Sequence, residues 1–360
     1  MAGRLGSPNR RAAAPAPPSP DALRRRPRMS SEAPCPSLTF FAELEAEPLA
    51  ALLSEPVLAT LRAAGAGVAM AMLDLSAPRR EAIAELNRRG IPVTAWLVLG
   101  TADGYWLTAD NADLAAARYV ELRAWAGEHA LRFDAVGLDI ESPHADALAL
   151  VQYGGRALQR MLRRRRSRRV LREAQARYAT LVQAIRADGY RVESYQLPLV
   201  VDERRARSTL LQRTFGLVNL GVDREVLMLY QSLLPAPWGE ALVDGFGAEA
   251  DGVAVGLTGG GVEFLHPVVG GRWLTLEQLV TNLRRARRYT PQLYVFSLEG
   301  CVQQGYLEAL CRADLTLPVA PAPAARAVAL LRSLLRAALL ADPLWGRVKR
   351  TLGMDQSAVG

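Results

Sequence analysis

The chain has 360 residues, 50% hydrophobic and 22% charged, a balance that supports a sizeable buried core and excludes collagen-like, low-complexity and wholly disordered classes. Cys35, Cys301 and Cys311 are too few and too scattered for a disulfide framework or a zinc site built on paired thiolates. The formal net charge of +8 comes from three segments: residues 1–28 with seven arginines against Asp21, an arginine run from Arg160 to Arg172 with no acid, and the part from 319 onward with six basic residues against Asp342 and Asp355. The remainder of the chain is therefore net acidic, and the high charge is not a nucleic-acid signature of the whole protein. Every basic residue but Lys349 is arginine, which points first to GC-rich codon usage.

Residues 1–36 read as a disordered basic, Pro/Ala-rich segment, and a start at Met29 would account for most of it. No apolar stretch of signal-peptide length occurs there. None anywhere reaches the roughly 18 residues of a membrane span, so the expectation is a cytoplasmic, soluble protein with at most peripheral membrane contact.

From position 37, short β-branched or aromatic runs alternate with amphipathic stretches. Strands are predicted at 38–43, 67–75, 92–99, 135–141, 191–197, 226–232, 252–258 and 292–299. Helices are predicted at 79–89, 111–129, 172–187, 276–288 and 304–313, in keeping with βα units around a parallel sheet. Several strands are apolar on both faces, as in Val253-Ala254-Val255-Gly256-Leu257, which suits a barrel whose inner face is filled and whose outer face meets helices. Eight such units predict an α/β fold, a (β/α)8 TIM barrel over 37–318. An open doubly wound sheet is the competitor, but no Gly-x-Gly-x-x-Gly follows the first strand, and Gly259-Gly260-Gly261 lacks the Lys-Ser/Thr of a phosphate loop.

The long connection at 142–190 predicts an insertion carrying Arg163-Arg164-Arg165-Arg166-Ser167-Arg168-Arg169. Such a run suits contact with an anionic membrane or another polyanion, although like-charge blocks are usually solvated faces. No aromatic residues interleave with it and no nucleic-acid motif accompanies it. Residues 319–360 read as a Pro-Ala linker and a basic amphipathic tail. Within it a helix over 324–341 carries Leu331, Leu334, Leu335, Ala338 and Leu339 as an apolar stripe, beside Arg326, Arg332 and Arg336. The stripe is expected to pack on the barrel or a second subunit. The competing reading lays it on an anionic membrane with Trp345 at the interface.

Side chains at the carboxyl ends of barrel strands converge on one face. On the fourth strand Asp139 and Glu141 are two apart and point to the same side, where two neighbouring carboxylates cannot both ionise cheaply and one gains the raised pKa of a general acid. The sixth strand ends in Met228-Leu229-Tyr230-Gln231, and the eighth in Ser297-Leu298-Glu299. Trp96, Tyr105 and Trp106 near the third strand are candidates to stack on sugar faces or to pack as core. Glu193 and Tyr195 share a face of the fifth strand, while Glu43 and Asp74 stand at the ends of the first and second. His129, His144 and His266 form no ligand cluster by spacing, and neither metal nor cofactor is expected. No Gly-x-Ser-x-Gly elbow is present, and Cys301 reads as a packing cysteine.

Phe133-Asp134-Ala135-Val136-Gly137-Leu138-Asp139-Ile140-Glu141 followed by Met228-Leu229-Tyr230 resembles the family 18 glycoside hydrolases, the chitinase-like (β/α)8 barrels, whose fourth strand reads Asp-Gly-x-Asp-x-Asp-x-Glu and whose sixth carries Met-x-Tyr. On that register Ala135 replaces the glycine, Gly137 replaces the middle aspartate, and Gln231 stands where aspartate usually follows the tyrosine. The third-strand Ser-x-Gly-Gly and the tryptophan ending strand eight are not evident. A weaker resemblance, to family 25 lysozyme-like barrels, rests on the Asp-x-Glu alone. The first resemblance implies hydrolysis of a glycosidic bond, in an N-acetylated sugar polymer, with Glu141 as proton donor and Asp139 and Tyr230 supporting the substrate's acetamido group. Met228, Gln231, Trp96, Tyr195 and Glu299 are the residues expected to bind the carbohydrate substrate. The alternative is a non-catalytic carbohydrate-binding or scaffold barrel at a membrane surface or polyanion.

Overall fold

A computed structural model describes residues 37–261 and 273–342. The segment 1–36 with Cys35, the stretch 262–272 with His266, and residues 343–360 with Trp345 lie outside the described residues.

Eight parallel strands close into a barrel in chain order: β1 (Ser37–Ala42), β2 (Gly67–Ala71), β3 (Val93–Leu97), β4 (Ala135–Ile140), β5 (Arg191–Gln196), β6 (Arg224–Met228), β7 (Gly252–Gly256) and β8 (Gln292–Phe296). β8 pairs with β1 from Ser37↔Gln292 to Phe41↔Phe296, so the sheet has no free edge. Each strand stops one to four residues short of its sequence-based end. Val98, Leu99, Leu229 and Leu257 lie past the last rung yet remain buried by loops, so their hydrophobicity continues after the ladder has ended.

Helices α1 (Ala46–Leu52) and α2 (Glu55–Ala64) follow β1, α3 (Ala77–Arg88) follows β2 and α4 (Ala112–Glu128) follows β3. The insertion forms α5 (His144–Tyr153) and α6 (Gly155–Arg163) ahead of α7 (Arg168–Ala187). α8 (Leu199–Arg205) and α9 (Leu210–Phe215) follow β5, α10 (Leu242–Phe246) follows β6 and α11 (Leu276–Arg287) precedes β8. Side-chain caps fix several starts: Ser76 accepts from the Arg79 N–H, Ser167 from Val170, and Thr275 with Gln278 closes a capping box. The single helix expected at 304–313 forms instead as α12 (Leu298–Gln303) and α13 (Leu307–Cys311), separated where Gly305 takes a left-handed φ of 69°.

Strand alternation sorts the core into two layers. Phe40, Val68, Val136, Leu138, Val192, Leu227, Val253 and Val295 face the helices, whereas Phe41, Ala69, Trp96, Tyr195, Met228, Ala254, Tyr294 and Phe296 fill the barrel. Glu193 lies on the inner face two residues before Tyr195. There it is occupied by Arg224 at 2.7 Å and by the Tyr294 hydroxyl, which donates to it at 2.9 Å. This carboxylate belongs to the interior of the barrel, not to its rim.

The last helix, α14 (Ala325–Leu339), packs against α8 and α10 through one edge of its leucine stripe, with Arg332 on the packed face. Arg332 points inward: its guanidinium donates to Asp202 at 2.9 Å, to Glu249 at 2.7 Å and to the Gly245 carbonyl, and it lies 4.0 Å over the Phe246 ring. Leu339 is buried and Leu335 partly so, but Leu330, Leu331 and Leu334 face solvent. Asp202 is fully buried, and leaving such a carboxylate without its cation costs more than exposing a few leucines. The arginine run is partly absorbed, Arg166 by Asp110 and Arg168 by Asp342, while Arg160, Arg163, Arg164, Arg165, Arg169 and Arg172 are exposed.

Candidate active site

Asp139 is the last inward residue of β4 and Glu141 lies just beyond it, so both side chains reach the carboxyl-terminal rim of the barrel. Asp139 is 1% exposed, and the Trp96 indole N–H from β3 donates to its Oδ2 at 3.1 Å. Its Oδ1 is buried without a hydrogen-bond partner among the described residues. Burial first, then the charges of Glu141 and Glu43, hold Asp139 well above the usual carboxylate range, against the pull of the indole bond. Glu141 is only partly exposed, and burial pushes it up to about 7. Among the described residues no arginine is ion-paired with it.

Tyr230 follows β6 and its ring leans on Phe296 with centroids 5.9 Å apart. Its phenol is raised by burial and then by the charges of Asp139, Glu141 and Glu43, which places it in the same electrostatic neighbourhood as both β4 carboxylates.

A second pair of carboxylates completes the rim. Glu43, one residue past β1, is 1% exposed and accepts a 2.5 Å hydrogen bond from Tyr105. Burial, followed by the Glu43 charge, makes that phenol harder to ionise. Glu299, in the first turn of α12, accepts backbone N–H bonds from Glu43 at 3.2 Å and Gly261 at 3.0 Å. Its pKa still rises to about 7, because burial outweighs those bonds. Gly260 takes a φ of 80°, and a Cβ on it would run into Glu299 and approach Ser297 Oγ to 2.7 Å, so only glycine lets this loop close over the carboxylate. An open cleft of about 1320 Å³ is lined by Glu43, Tyr105, Glu299, Trp273 and the three glycines 259–261.

The remaining sequence candidates lie deeper or are occupied. Met228 belongs to the inner apolar layer. Gln231 turns toward α11 and accepts from the Asn282 amide. Trp96 is 4% exposed and offers its N–H to Asp139, not an open face to a ligand. Tyr195 is 1% exposed, directly beside Gly137. Trp106 packs edge-on against Tyr105 and His144. Asp74 is bound by Arg79 at 2.8 Å; partial burial works against its ionisation, but the Arg79 and Ser76 hydrogen bonds bring it down to about 2. Burial pushes the Cys301 thiol up to about 12, which leaves it unreactive near neutrality. The Glu43–Tyr105 bond spans 62 positions, and the only sequence signal for it was a carboxylate at the end of a strand.

The fold is a closed (β/α)8 barrel, and the carboxylates gathered at the carboxyl-terminal face of its strands form a candidate site. No protein-family model matches the chain, and no curated protein matches its sequence. Solved structures of similar fold include the glycoside hydrolase domain of PgaB (BpsB) from Bordetella bronchiseptica, 12% identical with a TM-score of 0.44 over 77% of this chain and 98% of that one. A chitinase from Chromobacterium violaceum is 14% identical with a TM-score of 0.43 over 78% and 100%. A D-allulose 3-epimerase from Methylomonas sp. is 12% identical with a TM-score of 0.40 over 74% and 86%. Similarity at this level concerns the barrel alone.

Proposed function

We propose that this protein is a glycoside hydrolase in which Glu141 is the proton donor. The observation that carries the reading is a carboxyl raised to about 7 at the barrel rim, beside a buried Asp139 that is itself hard to ionise. A carboxylic acid that keeps its proton near neutral pH is what departure of a sugar oxygen requires. Glu141 transfers its proton to the glycosidic oxygen as the C1–O bond breaks, and positive charge develops at C1 and the ring oxygen. The substrate's own 2-acetamido oxygen bonds to C1 in that step, with Asp139 next to the amide N–H and Tyr230 donating to the acetamido oxygen. Water then adds to C1 as the C1–acetamido oxygen bond breaks, and Glu141, now ionised, takes a proton from that water. The Trp96 N–H holds the Oδ2 of Asp139, which supports a fixed orientation of that carboxyl beside Glu141.

Release of fluorophore from aryl glycosides with and without 2-acetamido groups tests this. Glu141→Gln is expected to lose about 100-fold or more in rate, the scale of general acid catalysis. A panel that neither protein cleaves would shift the reading to a non-catalytic carbohydrate-binding barrel.

A further inference from the structure

The outer face of α14 is inverted for a helix that ends its interactions at the barrel. Arg332, the residue whose exposure would be favourable, is buried in the Asp202–Glu249 seat, while Leu330, Leu331, Leu334 and Leu340 are 62%, 52%, 58% and 47% exposed. Scattered exposed leucines are ordinary, but Leu330, Leu331 and Leu334, three and four positions apart on one helix, share an apolar face. The charges around it are one-sided. Asp202 and Glu249 are taken up by Arg332, Asp342 by Arg168 and Arg213, and the exposed Glu173 lies 3.6 Å from Arg169. Arg326 on the helix and Arg207 after α8 are exposed and have no carboxylate partner among the described residues. The Arg168–Asp342 bridge brings the start of α7, and with it the exposed Arg163, Arg164, Arg165 and Arg169, up to the end of α14.

We infer that this face is a docking surface for an anionic lipid bilayer, with the α14 leucines entering the headgroup boundary and the flanking arginines pairing with lipid phosphates and carboxylates. Apolar insertion and attraction to acidic headgroups are the two components of binding by helices that lie in a membrane interface. A second copy of the chain fits less well, because a two-fold contact through these leucines would bring two arginine rims together.

Co-sedimentation of the full chain with phosphatidylcholine vesicles, with and without about 30% phosphatidylserine, tests the inference. The expected result is binding to the anionic vesicles only, weakened at least about tenfold between about 0.1 and about 0.5 M salt. A comparable loss is expected in a Leu330→Gln, Leu331→Gln, Leu334→Gln variant and in an Arg163→Gln, Arg164→Gln, Arg165→Gln, Arg169→Gln variant. All of these positions are exposed, so both variants are expected to melt like the parent protein. Three outcomes would overturn the inference: no binding to either vesicle, equal binding to neutral vesicles, or a dimer in solution that the leucine variant converts to monomer.

Discussion

The phenol of Tyr195 occupies the space that any side chain at position 137 would need: a Cβ on Gly137 would lie 2.6 Å from Tyr195 Cζ and 2.7 Å from Cε2. Gly137 stands where the resembled fourth-strand motif carries its middle aspartate, and the two residues lie on adjacent strands with Gly137 paired to Glu193 and Asp139 to Tyr195. The ring is locked by an edge-on contact with Phe41 at 4.8 Å, so it has no room to retreat. The space in front of Gly137 is therefore filled by a phenol supplied by the neighbouring strand.

Gly137→Ala is expected to lose about 1 to 3 kcal/mol in urea unfolding through overpacking. Tyr195→Phe retains the ring and should not rescue it. In a Tyr195→Ala background most of the loss should vanish, giving a strong coupling in the double-mutant cycle. Additive effects would show that the ring is not what excludes a side chain there.

The pH dependence of turnover follows from Glu141. As the acid it must be protonated, and burial holds it at about 7, so kcat/KM is expected to be sustained below that value and to fall about tenfold per pH unit above it. A profile flat from about pH 6 to about pH 9 would remove Glu141 from that role.

Glu299 gives a stability signature independent of any activity. Its folded-state pKa is raised from 4.5 to about 7, so its favourable contribution is complete below about 4.5 and is lost as pH rises through about 7. Above that the fold carries an ionised carboxylate that it buries at a cost. Glu299→Gln keeps a carbonyl to accept from the Glu43 and Gly261 N–H groups, and is expected to be more stable than the parent by about 2 to 3 kcal/mol near pH 8 and no different near pH 4. Thermal melts at the two pH values decide it; a difference that does not change with pH would contradict the burial argument.

The inverted seating of α14 predicts an asymmetry between arginine and leucine. Arg332→Ala leaves Asp202 buried without its main cation and should lose about 3 to 5 kcal/mol, with faster hydrogen exchange along the helix. Leu331→Ala should change stability by less than about 0.5 kcal/mol in solution, as surface substitutions do. The reverse ranking would mean that the leucines, not Arg332, hold the helix.

The eight strands were legible because each is a run of β-branched and apolar residues long enough to reveal itself locally, and the pairing of Asp139 with Glu141 on one face follows from the two-residue period of a strand. Strand ends were overestimated: Tyr230 and Gln231, read as strand, begin a 3-10 turn over Gln231–Leu233. Rim residues stay hydrophobic after the ladder stops, so composition cannot mark the last rung. Gln231 and Trp96 illustrate a second limit. Their types suited substrate contact, but which neighbour takes up their hydrogen-bonding groups depends on Asn282, 51 positions away, and Asp139, 43 positions away.

By itself the sequence determined the order of strands and helices, the closed-barrel class that eight βα units imply, and the side of β4 on which its two carboxylates stand. All of these rest on periodicities within one element. Tertiary structure alone decided that Trp96 holds Asp139, that Tyr105 and Glu43 meet at the rim beside Glu299, that Tyr195 fills the place of a side chain at 137, and that α14 turns its arginine inward. Tyr195 acts at 137 by occupying space, while the other three share one physical reason. Burying a polar group is tolerated only where a partner arrives from elsewhere in the chain, and that arrival is fixed by closure of the barrel, not by neighbours in sequence.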